Sequence, residues 1–286
     1  MTIKEKFQQT DKLYHFTSFD TAKKIIESNC LRFGRLSYMN DLHESDKIVF
    51  VDLKDQRIDE FPSDVLDALH DDIYKYRQIS LTAEGEAGDK DGFDLHQMWG
   101  LYADKGDGVC LVFEKNELLK SPDMSIKSGR ISYDNSAHLE SFVISDSNNP
   151  SQVVSEVCGR LPEIFFHKRK EWEHEQEYRL LKRCPRETRE EYLRLGHALK
   201  FVILSSKLQD ADEMRFAKRI KEIKEKVEKI EKGRNKGEDG KIPVLIYGNG
   251  LLDYNLITED GEEEIWNTNE GYDILIIGKN CNLDIK

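Results

Sequence analysis

The chain has 286 residues and a formal net charge of −12. That length suffices for one large domain or two small ones around a real core, and apolar residues gathered in compact runs argue against a disordered chain. The acidic balance excludes broad adhesion to nucleic acid or anionic membrane, leaving recognition of either to a local patch.

Five cysteines, Cys30, Cys110, Cys158, Cys184 and Cys281, are scattered, odd in number and without C-x-x-C spacing. They read as reduced thiols of a cytoplasmic protein. The opening MTIKEKFQQTDKLYHF carries no apolar signal region, and no run approaches a membrane span, so no membrane partner is expected.

In chain order, LYHFTS at 13–18 alternates apolar and polar and predicts a short strand. FDTAKKIIESNCLRF then predicts a helix, with Asp20 as N-cap and Ala22, Ile25 and Ile26 facing inward. SYMNDLHESDK reads as a loop. A helix is expected from about 62 to 77, followed by a strand at 78–84, QISLTAE, and a Gly/Asp-rich loop. Residues 95–105, LHQMWGLYADK, predict a further helix, and GVCLVFE at 108–114 a firm strand. GRISYDN reads as a strand, residues 134–151 as turns, VVSEVCGRLPEIFFHKRKEW as mainly helical, and EYRLLKR as a strand. Strands are also expected in KFVILSS, IPVLIYG and YDILIIG. Between the first two lies a long charged helix, from about Asp210 to Lys232, with Phe216, Ile220, Ile223, Val227 and Ile230 on one stripe. The whole is an α+β pattern.

Charge is uneven along the chain. Residues 160–194 hold ten basic and eight acidic side chains, and the run Lys168, Arg169, Lys170 either forms a local positive patch for RNA or DNA or is a solvated face beside a core element. Directly after it, EWEHEQEYRL places glutamates at 171, 173, 175 and 177. On one strand face four like charges would repel, so this is either a solvated junction or a carboxylate with a chemical task.

Several chemistries lack their signatures. There is no G-x-G-x-x-G after a strand, no G-x-x-x-x-G-K-[ST], no H-E-x-x-H and no G-x-S-x-G. A dinucleotide-binding Rossmann unit, a P-loop, a metal site and a serine hydrolase are therefore not expected, and no metal cofactor is assigned.

Taken as a set, LYHFTS, YMNDLHES, ISLTAE, MWGLYAD, GVCLVFE and HKRKEWEHEQEYRLL, over residues 13–182, resemble a family of uncharacterised bacterial proteins often found in phage-defence settings. That family is in turn distantly similar to the ADP-ribosyltransferase superfamily. The resemblance implies an α+β fold with an ADP-ribosyltransferase-like mixed or antiparallel split sheet and flanking helices. It implies a catalytic core at 1–200 and a C-terminal helix-strand elaboration at 201–286 within the same domain. Two positions depart from the superfamily pattern, Phe16 for a glycine and Ser80-Leu81 for a tyrosine.

Under that resemblance the substrate is NAD. Glu177 would stabilise the ribosyl cation formed when the nicotinamide bond breaks, and Glu175, two residues earlier, would activate the acceptor. His15 would hold the adenosine ribose, Tyr102 would stack on nicotinamide, Thr17 or Ser18 would bond its amide, and Arg32 would meet a phosphate. Each has a plainer alternative: His15 a core histidine, Tyr102 with Trp99 a core-facing helix pair, Arg32 a surface salt bridge, Glu177 a partner of Arg179. Asn40, Asp41 and Glu44 belong to the family pattern, either closing the site or, for the first two, forming an Asx-turn. The function implied is an ADP-ribosyltransferase acting on a macromolecule, nucleic acid (RNA or DNA) ahead of protein, as a toxin or anti-phage effector with an antitoxin or defence-system partner. The alternatives are a non-catalytic interaction or sensor module and an NAD glycohydrolase.

Overall fold

The computed structural model describes residues 11–36, 71–84, 92–120, 123–134, 165–185, 187–207, 212–234, 241–248, 265–267 and 273–277, with positions 5, 7, 67, 155, 156, 159, 160 and 162. Asn40, Asp41 and Glu44 lie outside them, as does most of the helix expected at 62–77. The architecture is mixed α+β, and the chain folds as two compact units. The first comprises Met1–Leu31, Leu81–Ser121 and Arg194–Lys286, and the second Arg32–Ser80 and Pro122–Leu193. The division falls elsewhere than at residue 200, for a strand runs through that position.

In the first unit, β1 (Lys12–Thr17) leads into α1 (Phe19–Ser28). The cap is Ser18 rather than Asp20: its hydroxyl accepts the Thr21 N–H. The helix stops five residues before the expected end. Asn29 takes the left-handed conformation at φ 51° and returns its N–H to the Ile26 carbonyl, a turn asparagine tolerates better than most residues. Cys30–Arg32 (β2) then continues as a strand.

β4 (Tyr76–Ala83) enters this unit with its last residues, pairing Tyr14 with Thr82. Next come α2 (His96–Tyr102), β5 (Val109–Glu114) and the short α3 (Lys115–Leu118). β11 (Leu199–Ser205), α4 (Glu213–Lys232), β12 (Val244–Gly248), β13 (Ile265–Asn267) and β14 (Asp273–Ile277) complete it. The strand order is β13-β14-β12-β11-β5-β1, with β11 and β12 parallel and the neighbouring pairs β1–β5, β5–β11, β12–β14 and β13–β14 antiparallel, so the sheet is mixed.

Strand alternation sorts this sheet into two faces. Tyr14, Phe16, Cys110, Val112, Phe201, Ile203, Leu245 and Tyr247 share one core with Phe7, Phe93, Met98, Trp99 and Ala103. Trp99 stacks on Tyr247 at 5.6 Å, stands edge-on to Phe16 at 5.3 Å and donates its indole N–H to the Phe93 carbonyl. Leu13, Val109, Leu111, Val202 and Leu204 are buried on the other face. α1 packs against β5 and α4, with Lys23 bonded to Glu222. Gly108 permits the tight entry to β5, because a Cβ there would lie 2.3 Å from the Thr17 carbonyl oxygen.

In the second unit β3 (Gly34–Arg35) pairs with the first half of β4, and β9 (Glu177–Arg183) lies between β4 and β6 (Ile126–Arg130). β7 (Ser132–Asp134) runs parallel to β8 (His167–Arg169), and β10 (Tyr192–Arg194) leads back to the first unit. β4 starts at Tyr76, two residues inside the expected helix, because Tyr76 packs on Phe165 at 5.0 Å. The mainly helical reading of 153–172 also needs correcting at its end. Residues 167–169 pair with β7, and Lys170–Glu175 form a 3-10 turn. EYRLLKR is a strand over the residues expected.

Candidate functional site

The four alternate glutamates do not share a strand. Glu171 and Glu173 belong to the 3-10 turn and Glu175 ends it. Gln176 then adopts a left-handed conformation at φ 46°, and Glu177 opens β9. The expected E-x-E pair on one strand face is thus corrected: a backbone reversal, not strand alternation, brings the two carboxylates together. A positive φ at a residue other than glycine costs on the order of 1 kcal/mol. The turn therefore persists through what its neighbours gain.

What they gain is a buried ionic cluster. Glu175 and Glu177 are each 3% exposed, Lys168 7% and Arg179 0%. The Lys168 Nζ reaches Glu175 Oε2 at 2.6 Å and Glu177 Oε2 at 3.1 Å. Arg179, two residues after Glu177 on the same face of β9, gives Nε to Oε1 at 2.7 Å and Nη2 to Oε2 at 2.8 Å. Its Nη1 donates to the Phe165 carbonyl, and the Glu177 N–H donates to the Tyr133 hydroxyl at 2.8 Å. Trp172 places its ring 5.1 Å from the lysine nitrogen.

Two carboxylates face two cations, which is what allows ionised groups to remain this dry. Burial alone would push the Glu177 carboxyl up. The Arg179 guanidinium and the Lys168 ammonium outweigh it and hold the group well below the usual glutamate range. Burial likewise raises the Tyr133 phenol far above its ordinary value, keeping it a neutral hydroxyl.

The cluster has a polar outlet. Ser80, exposed between buried residues of β4, accepts from the Gln78 amide at 3.2 Å, and its hydroxyl adds a smaller pull that lowers the Glu177 carboxyl after Arg179 and Lys168.

The other expected residues are placed differently. His15 and Thr17 share one face of β1, while Tyr14 and Phe16 occupy the other. Tyr102 packs against the core cluster containing Tyr14, Phe16 and Trp99. His15 and Tyr102 therefore do not project from a common face, which corrects their expected convergence on one nicotinamide riboside. The Ser18 hydroxyl is engaged at the start of α1, donating to Thr21 Oγ1 at 2.9 Å as well as capping. Arg32 makes a surface ion pair with Glu190 at 3.8 Å.

The basic run is also corrected. Lys168 is buried as the counter-ion of two glutamates and is not available to a phosphate backbone. Arg169 is half-buried and Lys170 exposed. The sequence reading missed Lys168 as a core cation, together with Tyr133 and Gln176. The signal was the spacing itself: a lysine, Trp172, Glu175, Glu177 and Arg179 within twelve residues, ending in an apolar strand.

Among the described residues no group of His, Cys, Asp and Glu side chains is placed to hold a metal, and no helix is long and apolar enough to cross a membrane. A family model described as a protein of unknown function, DUF2971, matches residues 98–180. That segment holds most of α2, β5, β8 and the charged part of β9, and so Lys168, Glu175, Glu177 and Arg179 of the ionic cluster. No curated protein and no solved structure matches the chain.

Proposed function

We propose that this chain is an NAD-consuming ADP-ribosyltransferase that modifies a macromolecule, as a toxin or anti-phage effector, with Glu177 as its catalytic carboxylate. The observation that carries the reading is an ionised glutamate held dry between Lys168 and Arg179, with the exposed Ser80 hydroxyl among the groups that lower its carboxyl. A ribose hydroxyl arriving at Ser80 would reach the same carboxylate by hydrogen bonding. When the C–N bond to nicotinamide breaks, its electron pair leaves with the nicotinamide, and a fixed negative charge near the ribose stabilises the cation left behind. The acceptor then supplies the electron pair of the new bond to the ribose carbon and gives up its proton.

Glu175 takes a different role from the expected one. Tied to Lys168 at 2.6 Å, it positions the lysine against Glu177 and is a positioning residue rather than the acceptor's base. The residues present fit a ribose hydroxyl at Ser80 and Glu177. They do not fit a nicotinamide clamp built from His15 and Tyr102, which leave β1 and α2 toward different faces of their sheet. Loss of Lys168 from the surface also removes the main support for nucleic acid over protein as acceptor.

A second reading has its own observation. Both Glu177 oxygens are taken by Arg179, which suits a structural cluster in a non-catalytic interaction module. Incubation with labelled NAD and cell lysate, comparing wild type, Ser80→Ala and Glu177→Gln, separates the two. Transfer lost in both variants, with unfolding midpoints retained in Ser80→Ala, supports the enzyme. No NAD turnover by any form supports the module, and free ADP-ribose without transfer identifies a glycohydrolase.

A further inference from the structure

A cavity of about 360 Å³ lies in the first unit where the C-terminal end of α4 meets the end of α1 and the turn before β11. Its wall includes Asn29, Gly196, His197, Lys226, Lys229 and Arg234. Lys226 is matched by Glu27 at 2.8 Å, the one carboxylate of the lining. Lys229 is exposed and makes no ion pair among the described residues. Arg234 is 7% exposed, and its guanidinium is held by backbone carbonyls, Nη1 to Leu199 at 3.0 Å and Nη2 to Gly196 at 3.1 Å, with Glu231 near enough to attract it but in no ion pair with it among the described residues. Among the described residues, three cations against Glu27 in the wall and Glu231 behind it leave a surplus of one positive charge, on a chain whose net charge is −12.

A buried guanidinium with no carboxylate in hydrogen-bonding contact is costly to keep, and burial outweighs the attraction of Glu231 at Arg234. The plainer explanation is that these cations complement the carbonyl end of α4, but that end amounts to roughly half a negative charge, less than the surplus. The Arg234 Nε and the Asn29 Oδ1, both buried, also have no hydrogen-bond partner among the described residues. The same Gly196 carbonyl accepts from Asn29 Nδ2 at 3.2 Å and from Arg234, so the two side chains are fixed against one another at φ 54° of Gly196.

We propose that this cavity binds a small phosphate-bearing molecule through its dianionic phosphate, with Lys229, Lys226 and Arg234 as the cationic wall. Its size lies at the lower end of the range for small-molecule sites, and a concave site on an acidic body favours a free phosphomonoester over a polyanion, which the body as a whole would repel. The site is independent of Glu177 and of the enzymatic reading.

The test is calorimetric titration of the full chain with inorganic phosphate and with adenosine 5′-monophosphate, at constant ionic strength, using adenosine as the uncharged control. Binding of either phosphate-bearing probe, absence of binding by adenosine, and at least a tenfold loss of affinity in Lys229→Glu are expected. Lys229 is exposed, so this variant keeps the fold, which its unfolding midpoint checks. Failure of both phosphate probes to bind at millimolar concentration would overturn the site, as would undiminished binding by a folded Lys229→Glu. Chloride replacing phosphate with equal effect would show general charge screening and equally overturn it.

Discussion

Arg179 grips both carboxylate oxygens of Glu177, the residue two positions before it on β9, at 2.7 and 2.8 Å. Because i and i+2 share a strand face, the two form a fork that needs no other element to align it. Lys168 then joins from β8, bringing Glu175 with it.

Breaking this fork from either side should be expensive. Arg179→Met leaves Glu177 with half its compensation, and removal of one partner of a buried pair costs about 3–5 kcal/mol. Glu177→Gln should cost less than full truncation, since it keeps the shape. The combined Arg179→Met, Glu177→Gln variant should be more stable than the sum of the single losses implies, by at least about 1 kcal/mol. Denaturant unfolding measures all three; strict additivity would mean that the pair is not coupled.

The same carboxylate predicts an acid limb. Its folded value lies below the ordinary 4.5, so the unfolded chain takes up its proton first as pH falls. The stability it contributes is fully present above about 4.5 and is lost progressively as pH drops toward the lower folded value. Glu177→Gln should lose less stability than wild type across that window. Unfolding midpoints at a series of acidic pH values check this, and parallel curves would contradict it.

Gln176 supplies a prediction of the opposite sign. Its left-handed backbone and its buried, unpartnered Oε1 both penalise glutamine there. Gln176→Gly should be neutral or stabilising by up to about 1 kcal/mol, whereas a β-branched valine should destabilise. A thermal melt of the two variants reads the order directly.

Lys168 and Lys170 sit two residues apart and should behave oppositely. Lys168→Met leaves two buried carboxylates short of a cation and should lower stability by several kcal/mol. Lys170→Met, at an exposed position, should change it by less than about 0.5 kcal/mol. Equal effects would restore the surface reading of the basic run.

Regular elements were legible where one periodicity dominated. β9 appears over the residues its alternation indicated, and α4 follows its three-and-four stripe. Boundaries failed where a single residue decides: Asn29 ends α1 by a left-handed turn, and Gln176 breaks what reads as a continuous E-x-E strand. The basic run misled because sequence cannot tell a lysine facing water from one enclosed by two glutamates, a distinction set by tertiary packing. The faces of His15 and Tyr102 depend on how α2 lies on the sheet, which local pattern does not encode.

The most direct test of the central claim uses Ser80, because its exposed side chain can be removed without opening the core. Single-turnover assays with NAD labelled on the adenylate, in the presence of lysate, should show label transferred to a macromolecule by wild type. Ser80→Ala should slow that transfer at least tenfold with an unchanged melting temperature, and Glu177→Gln should lower it by about 10²–10³. Transfer at the wild-type rate by a folded Glu177→Gln would contradict a catalytic carboxylate at this position.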